Sequence, residues 1–312
     1  MPSYTSPSSR FSVNRRTVLT LLGAAAIKSL LPTSLRAETD PDWTTTLPPF
    51  RIAGNLYYVG SRDLASFLVT SPAGHILINS NLTTSPLQIL ASVEKLGFKM
   101  HEIKILLISH SHYDHCAGSA EILSKTNAKY MVMDGDVAVV ESGGKTDFLF
   151  GNRPDFLYPP AKVSRILHDG GTVTLGETTL TAHKTPGHTK GCTTWTTILK
   201  DGGKSYNTVI VGSPNINPGQ NLINDPKYPQ MAADYVAGFR TLQSLPCDIF
   251  LGAHGGYFDL LAKREKQQAG QIGQAEAFVD PQGYKAYIAD RQQAFEAELA
   301  KQRASHAAHP PN

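Results

Sequence analysis

The sequence predicts an α/β domain in which layers of strands and helices pack together. Short apolar runs alternate with helical patterns in both halves of the 312-residue chain, as expected of this class. The run Ile-Lys-Ile-Leu-Leu-Ile-Ser at 103–109 is almost continuously apolar, which is typical of a strand buried on both faces. No tandem repeat or linker divides the halves, so we expect one domain over residues 38–312.

The first 37 residues have the layout of an export signal. Arg15 and Arg16 precede an apolar run at 17–31, and Ala37 offers a cleavage point. This run is too short, and too charged at Lys28, for a good membrane span. The paired arginines favour the twin-arginine route over an ordinary export signal. We therefore expect a periplasmic protein that is free of the membrane once the signal is removed.

Charge and cysteine content limit the function further. Residues 1–37 carry five basic and no acidic residues, so the remainder has 24 basic and 26 acidic residues. This balance gives no basis for a nucleic-acid partner. The chain has three cysteines, and we expect them to be free thiols rather than a disulfide.

In the first half, alternating and apolar runs predict strands, and apolar spacings of three and four predict helices. The predicted strands are 55–60, 65–71, 75–80, 103–109 and 128–134. One helix is expected before Gly97, another from Asp114 onward, and a short one at 135–142.

The second half begins with a polar loop at 142–160, which is rich in Gly, Pro and aromatic residues. The predicted strands that follow are 161–167, 172–175, 178–184, 192–199, 206–212 and 248–253. Helices are expected over 230–244 and 282–303, the latter with an apolar stripe. The tail at 300–312 is expected to fray.

Three histidines and an aspartate follow the strand at 103–109 within six positions: His110, His112, Asp114 and His115. In an extended turn, alternate residues point the same way, so His110 and His112 can bind one cation. Asp114 and His115 enter the next helix and face the same pocket from a displaced position. This geometry suits two neighbouring metals better than one.

Two later histidines occupy the same local setting. His188 lies in a Gly-rich turn after the strand at 178–184, and His254 directly follows the strand at 248–253. Imidazole and carboxylate are usual zinc ligands, and three protein ligands per ion leave positions open for water. One site would hold His110, His112 and His188. The other would hold Asp114, His115 and His254. A solvated histidine-rich turn is the alternative, and His183 is read as a structural histidine.

These motifs resemble the metallo-β-lactamase superfamily over about residues 50–300. The resemblance implies an αββα sandwich with a dinuclear zinc site at the sheet edges, and it assigns the same six residues as ligands. Many relatives end the strand at 206–212 with a bridging aspartate, and one β-lactamase subclass has cysteine there. This chain has Gly212 and Ser213, so it is similar to the third subclass of class B β-lactamases.

The resemblance implies hydrolysis of the β-lactam amide by a metal-bound hydroxide, with two Zn²⁺ ions and Asp114 orienting the nucleophile. Ser213, with Asn215 or Asn217, would bind the substrate carboxylate, although Ser213 could be an ordinary serine at a strand end. Phe150 would belong to an apolar wall, or simply pack within its loop. The alternatives are hydrolysis of another ester, lactone or amide, and zinc binding without turnover. A monomer is expected.

Overall fold

The computed structural model describes residues 40–270 and 272–308. The chain forms two β-sheets, one from the strands up to residue 167 and one from the strands after it. The first has seven strands that lie side by side in sequence order. They are β1 (Phe50–Ala53), β2 (Leu56–Tyr58), β3 (Phe67–Ser71), β4 (Gly74–Ile78), β5 (Ile103–Leu107), β6 (Lys129–Met133) and β7 (Arg165–Leu167). Strands β1 to β4 pair antiparallel, and β4 to β7 pair parallel.

The second sheet has five strands in the order β12-β11-β10-β9-β8. They are β8 (Thr172–Leu175), β9 (Thr178–Lys184), β10 (Thr193–Asp201), β11 (Lys204–Val211) and β12 (Ile249–Gly252). The pair β11–β12 is parallel, and its connection contains a helix, as parallel pairs require.

Helices pack against both sheets. They are α1 (Pro86–Lys95), α2 (Tyr113–Cys116), α3 (Ser119–Thr126), α4 (Val137–Glu141), α5 (Met231–Ser244), α6 (Leu260–Gln268) and α7 (Pro281–Ala308). Buried residues of α1, α3 and α4 join one face of the first sheet. Those of α5 and α7 join the core that contains the second sheet. The fold is the αββα sandwich that the resemblance implied.

Strand β5 shows why its sequence is apolar. Ile105 and Leu107 belong to the core shared with the second sheet, whereas Leu106 belongs to the core beneath α1, α3 and α4. Both faces of the strand are therefore buried, as predicted. The strand delivers the histidine-rich loop to one edge of the sandwich.

Several predicted boundaries were wrong. The strand predicted at 161–167 is only Arg165–Leu167. The N–H groups of Ala161 and Val163 instead donate to the Val140 carbonyl and the Glu141 carboxylate, so they do not join the ladder. The last helix continues to Ala308, past the predicted end at 303. Strand β1 was not predicted at all.

The cysteines and His183 are as the sequence predicted. All three cysteines are free thiols, and His183 pairs its Nε2 with Thr196 Oγ1 at 2.8 Å. No helix within the described ranges is long and apolar enough to cross a membrane. The predicted export signal at 1–37 lies outside those ranges.

Candidate metal centre

Turns at the ends of three strands bring the six predicted ligands together. His110 and His112 lie between β5 and α2, while Asp114 and His115 form part of α2. His188 follows β9, and His254 follows β12. The first sheet thus supplies four of these side chains and the second sheet two.

His110, His112 and His188 form one cluster. Each is buried and offers a ring nitrogen, and these nitrogens all lie within 4.8 Å of one another. His112 Nδ1 is 3.1 Å from His188 Nε2. The opposite nitrogen of His188, Nδ1, donates to the Asn215 carbonyl at 2.7 Å. In the neutral ring this bond places the proton on Nδ1 and leaves a lone pair on Nε2, facing the cluster.

Asp114, His115 and His254 form the adjacent cluster. His115 Nε2 is 3.1 Å from Asp114 Oδ2 and 3.1 Å from His254 Nε2. Asp114 Oδ2 is also 3.4 Å from His254 Nε2. His110 comes within 4.8 Å of Asp114 and His115 as well, so the clusters are neighbours around His110.

The protonation of these groups fits a cation. Burial lowers the pKa of His112 to about 4 and that of His188 to about 3, so both rings are neutral at pH 7, as metal ligands must be. Burial also lowers the pKa of His110 well below its usual value. His110 Nε2 has no hydrogen-bond partner among the described residues. Buried lone pairs without donors are costly, and a metal ion would satisfy them.

The surroundings of His254 also favour a cation, although its pKa is raised rather than lowered. Burial alone would lower its pKa, but the carboxylates of Asp114 and Asp63 outweigh burial and raise the pKa to about 9. The two carboxylates therefore favour a positive charge at this position, which a metal ion would also supply. Five imidazoles and one carboxylate form a set that suits zinc.

Asp63 contacts the candidate metal centre, and the sequence did not reveal it. Its Oδ2 accepts from His254 Nδ1 at 2.7 Å, and its Oδ1 accepts from the Gly256 N–H at 2.9 Å. A carboxylate behind a histidine fixes the ring's orientation and directs the other nitrogen to the metal. Asp63 lies in a loop with no periodic pattern, so no local signal could have identified it.

Asp136 connects the turns that carry the first cluster. Its carboxylate accepts from the Ser111 N–H at 2.9 Å, the Gly191 N–H at 2.8 Å and Thr189 Oγ1 at 2.8 Å. Ser111 sits between His110 and His112, and Thr189 follows His188. Asp136 therefore fixes the spacing of loops that come from different sheets.

Asn79 directly follows strand β4 and supports the histidine-rich loop. Its backbone is left-handed, with φ of 66°, a conformation that asparagine tolerates better than most residues. Its side chain accepts from the Ser109 N–H at 2.7 Å and donates to the Ala65 carbonyl at 3.2 Å. The amide thus anchors the start of the histidine loop.

A cavity of about 340 Å³ opens onto both clusters. Its aromatic wall comprises Trp43, Tyr113, Phe150, Phe156 and Tyr257. Phe150 stacks on Phe156 with 4.4 Å between ring centroids and lies 5.0 Å from the His112 ring. The predicted apolar wall at Phe150 is therefore beside a candidate ligand.

The predicted carboxylate-binding residues differ in position. Asn215 lines the cavity, and its Nδ2 donates to Tyr257 Oη at 2.7 Å. Ser213 is only 2% exposed, and its hydroxyl is 3.2 Å from Tyr257 Oη. Ser213 does not line the cavity, so its contact with substrate stays a prediction. Cys116 is buried in the core beneath α1, α3 and α4.

Comparison with known proteins agrees with this architecture. Residues 63–197 match the model of the metallo-beta-lactamase superfamily. A probable metallo-hydrolase of Burkholderia pseudomallei is 31% identical over 113 residues. That match spans about a third of the curated relative, 36% of its length.

Three solved structures cover most of the chain. Native FEZ-1 metallo-beta-lactamase from Legionella gormanii is 53% identical, with a TM-score of 0.81, over 83% of this chain and 98% of that chain. The class B3 di-zinc metallo-beta-lactamase LRA-12 from an Alaskan soil metagenome is 36% identical, with a TM-score of 0.78, over 83% and 97%. BJP-1, a subclass B3 enzyme of Bradyrhizobium japonicum, is 33% identical, with a TM-score of 0.79, over 85% and 98%. Taken with the fold and the donor cluster, these similarities show that the chain belongs to the metallo-beta-lactamase superfamily, as a metallo-hydrolase similar to the B3 enzymes.

Proposed function

We propose that this protein is a zinc-dependent β-lactamase that hydrolyses the amide bond of β-lactam antibiotics. The observation that carries the proposal is the convergence of six donors on two adjacent clusters, with a serine rather than an acid or thiol at Ser213. The similarity to B3 metallo-beta-lactamases over most of the chain supports the same substrate class.

The ligand assignment follows the two clusters. His110, His112 and His188 would hold one Zn²⁺. Asp114, His115 and His254 would hold the second. Zinc bound there supplies Lewis acidity, which polarises a carbonyl and makes a water acidic near neutral pH.

Asp114 is positioned for more than binding. Its side chain is 12% exposed, it lines the cavity, and its Oδ2 contacts both His115 and His254. The contacts with His115 and His254 help to hold the pKa of Asp114 well below its usual value, against the opposing effect of burial. A carboxylate that stays ionised can accept a hydrogen bond from the attacking water and orient it.

The remaining cavity residues would position the substrate. The rings of Phe150 and Phe156 offer an apolar surface and exclude water beside His112. On the other side, the Asn215 amide and the Tyr257 hydroxyl provide polar groups for a carboxylate. Ser213 would act on the substrate carboxylate through its hydroxyl, which is 3.2 Å from Tyr257 Oη.

We also propose the remaining biological setting from the sequence. The export signal at 1–37 would deliver the protein to the periplasm as a monomer. Cell fractionation of a tagged full-length chain and size-exclusion chromatography test the two points. Retention in the cytoplasm, or elution as a dimer, would contradict them.

The decisive assay measures hydrolysis of a chromogenic cephalosporin, a carbapenem and an acyl-homoserine lactone by the zinc-loaded protein. We expect turnover of the lactams, loss with a chelator, and recovery when zinc is restored. A zinc-loaded protein that hydrolyses only the lactone would be a hydrolase of another class. No turnover of any substrate would leave a zinc-binding protein without that activity.

A pair of histidine variants tests the site itself. His112→Ala should reduce lactam hydrolysis to near background, because it removes a ligand of one zinc. His183→Ala is the matched control, since His183 is partly exposed on β9 and its ring pairs with Thr196, away from both clusters. Full activity in His112→Ala would refute the assignment.

A further inference from the structure

Asp147 is a buried carboxylate that the proposed reaction does not use. It lies in the loop after α4 and is only 4% exposed. Its Oδ1 accepts from the Leu149 N–H at 2.8 Å and the Phe150 N–H at 2.6 Å. Its Oδ2 is buried and has no hydrogen-bond partner among the described residues.

The unpartnered oxygen faces an unpartnered nitrogen. Asp147 Oδ2 is 3.7 Å from His112 Nε2, which also lacks a hydrogen-bond partner within the described ranges. A closure of about 0.8 Å would bring these atoms to a normal hydrogen-bond length. Two buried groups of complementary chemistry, each otherwise unsatisfied, favour that closure.

The other nitrogen of His112 faces the metal cluster. His112 Nδ1 lies 3.1 Å from His188 Nε2. A neutral imidazole carries one proton and one lone pair, so a proton held on Nε2 leaves the lone pair on Nδ1. The Asp147 carboxylate therefore lies next to Nε2 and favours a proton there. A protonated Nε2 cannot offer a lone pair to the metal in place of Nδ1.

The molecule contains the same arrangement once more. Asp63 Oδ2 pairs with His254 Nδ1 at 2.7 Å and leaves His254 Nε2 facing Asp114 and His115. Asp63 and Asp147 come from unrelated loops of the chain. Each candidate site thus has a buried or partly buried carboxylate behind one of its histidines.

We propose that Asp147 is a positioning residue that holds His112 in the tautomer protonated on Nε2, while the same carboxylate shapes the turn that carries Phe150. This inference rests on the proposed ligand role of His112. Asp147 would thereby link the zinc site to the aromatic wall, because its Oδ2 faces His112 and its Oδ1 accepts from the turn that carries Phe150. Phe150 lies 5.0 Å from the His112 ring, so the turn and the ligand share one support.

Asp147→Asn separates these two tasks. The amide oxygen can keep both N–H bonds of the turn, whereas the amide NH₂ group would face His112 Nε2 and donate to it. That contact favours a proton on Nδ1, the nitrogen that should bind zinc. We expect about 10- to 100-fold weaker binding of one zinc, measured by competition with a chromophoric chelator. Asp155→Asn, an exposed carboxylate in the same loop, is the matched control and should leave the affinity unchanged.

A second measurement follows the proton on His112 Nε2 directly. In ¹H–¹⁵N NMR of the zinc-loaded wild-type protein, a hydrogen bond to the Asp147 carboxylate should shift this proton downfield and slow its exchange with water. In zinc-loaded Asp147→Asn the same proton should move upfield and exchange faster. A wild-type Nε2–H that exchanges as freely as that of an exposed imidazole would overturn the proposal even if the variant failed to fold. Unchanged stepwise zinc affinity in a folded Asp147→Asn would overturn it as well.

These readouts distinguish this inference from the proposed function. A protein that binds zinc and shows the hydrogen-bonded His112 Nε2–H, but hydrolyses no lactam, supports the role of Asp147 and refutes the lactamase activity. A wild-type protein that binds no zinc overturns both.

Discussion

Replacing Asp136 by Asn should change how stability depends on pH. Asp136 is 1% exposed. Burial raises its pKa to about 6, even though three accepted hydrogen bonds oppose the shift. The ordinary value is 3.8, which we take for the unfolded chain. Because the folded pKa is the higher one, the folded state favours the protonated acid. Its stabilising contribution is complete below about pH 4 and is lost as the pH rises through 6.

The magnitude follows from the two pKa values. Their difference corresponds to about 3 kcal/mol in the free energy of unfolding. The part of this loss that falls above pH 5 is about 1.4 kcal/mol. An asparagine resembles the protonated acid and cannot ionise. The variant should therefore gain about 1.4 kcal/mol relative to wild type between pH 5 and pH 8.

Urea unfolding of the chelator-treated proteins at pH 5, 6, 7 and 8 measures this difference directly. Asp136→Ala is the companion variant. It should show the same pH trend. It should be less stable than the Asn variant by about 1–3 kcal/mol, because the single amide oxygen of Asn can still accept from one of the Ser111 and Gly191 N–H groups, whereas Ala accepts from neither. A difference between wild type and Asp136→Asn that does not vary with pH would refute the reasoning.

Three other changes probe separate parts of the site. Asp63→Asn should weaken binding of one zinc by about 10- to 100-fold, because it removes the carboxylate behind His254; unchanged affinity in a chelator competition would contradict this. Phe150→Ala should raise KM for a chromogenic cephalosporin with little change in kcat, because it removes an apolar wall but no metal ligand. A fall in kcat alone, measured by steady-state kinetics, would contradict this role. Trp195→Phe should cost about 1–3 kcal/mol of stability in urea unfolding, because the Ile108 carbonyl loses its 3.1 Å bond from Trp195 Nε1; a neutral effect would show that this bond is replaced.

The candidate ligands could be predicted because each one follows a recognisable strand. His110 and His112 come after the apolar run of β5, and His254 comes after β12. Strand ends in an α/β fold meet at shared edges, so residue type and order were enough to bring these side chains together. The αββα architecture followed from the resemblance that these motifs carry.

The supporting carboxylates could not be predicted in this way. Asp63, Asp136 and Asp147 lie in loops or at a helix start, where charged residues are ordinary in any sequence. Their roles depend on contacts with distant residues. Asp63 is 191 positions from His254, Asp136 is 53 positions from Thr189, and Asp147 is 35 positions from His112. Only the packed sandwich sets those distances. The left-handed backbone of Asn79 and its bond to Ser109 are likewise visible only in three dimensions.

The origin of the six donors on two sheets has a consequence for folding kinetics. Under the proposed assignment, the first cluster needs His188, and the second needs His254. Neither site is complete until the sheets have docked. Zinc should therefore bind late in refolding and stabilise the docked state by mass action. The rate of zinc uptake, followed by stopped-flow competition during refolding, would report the docking of the two sheets.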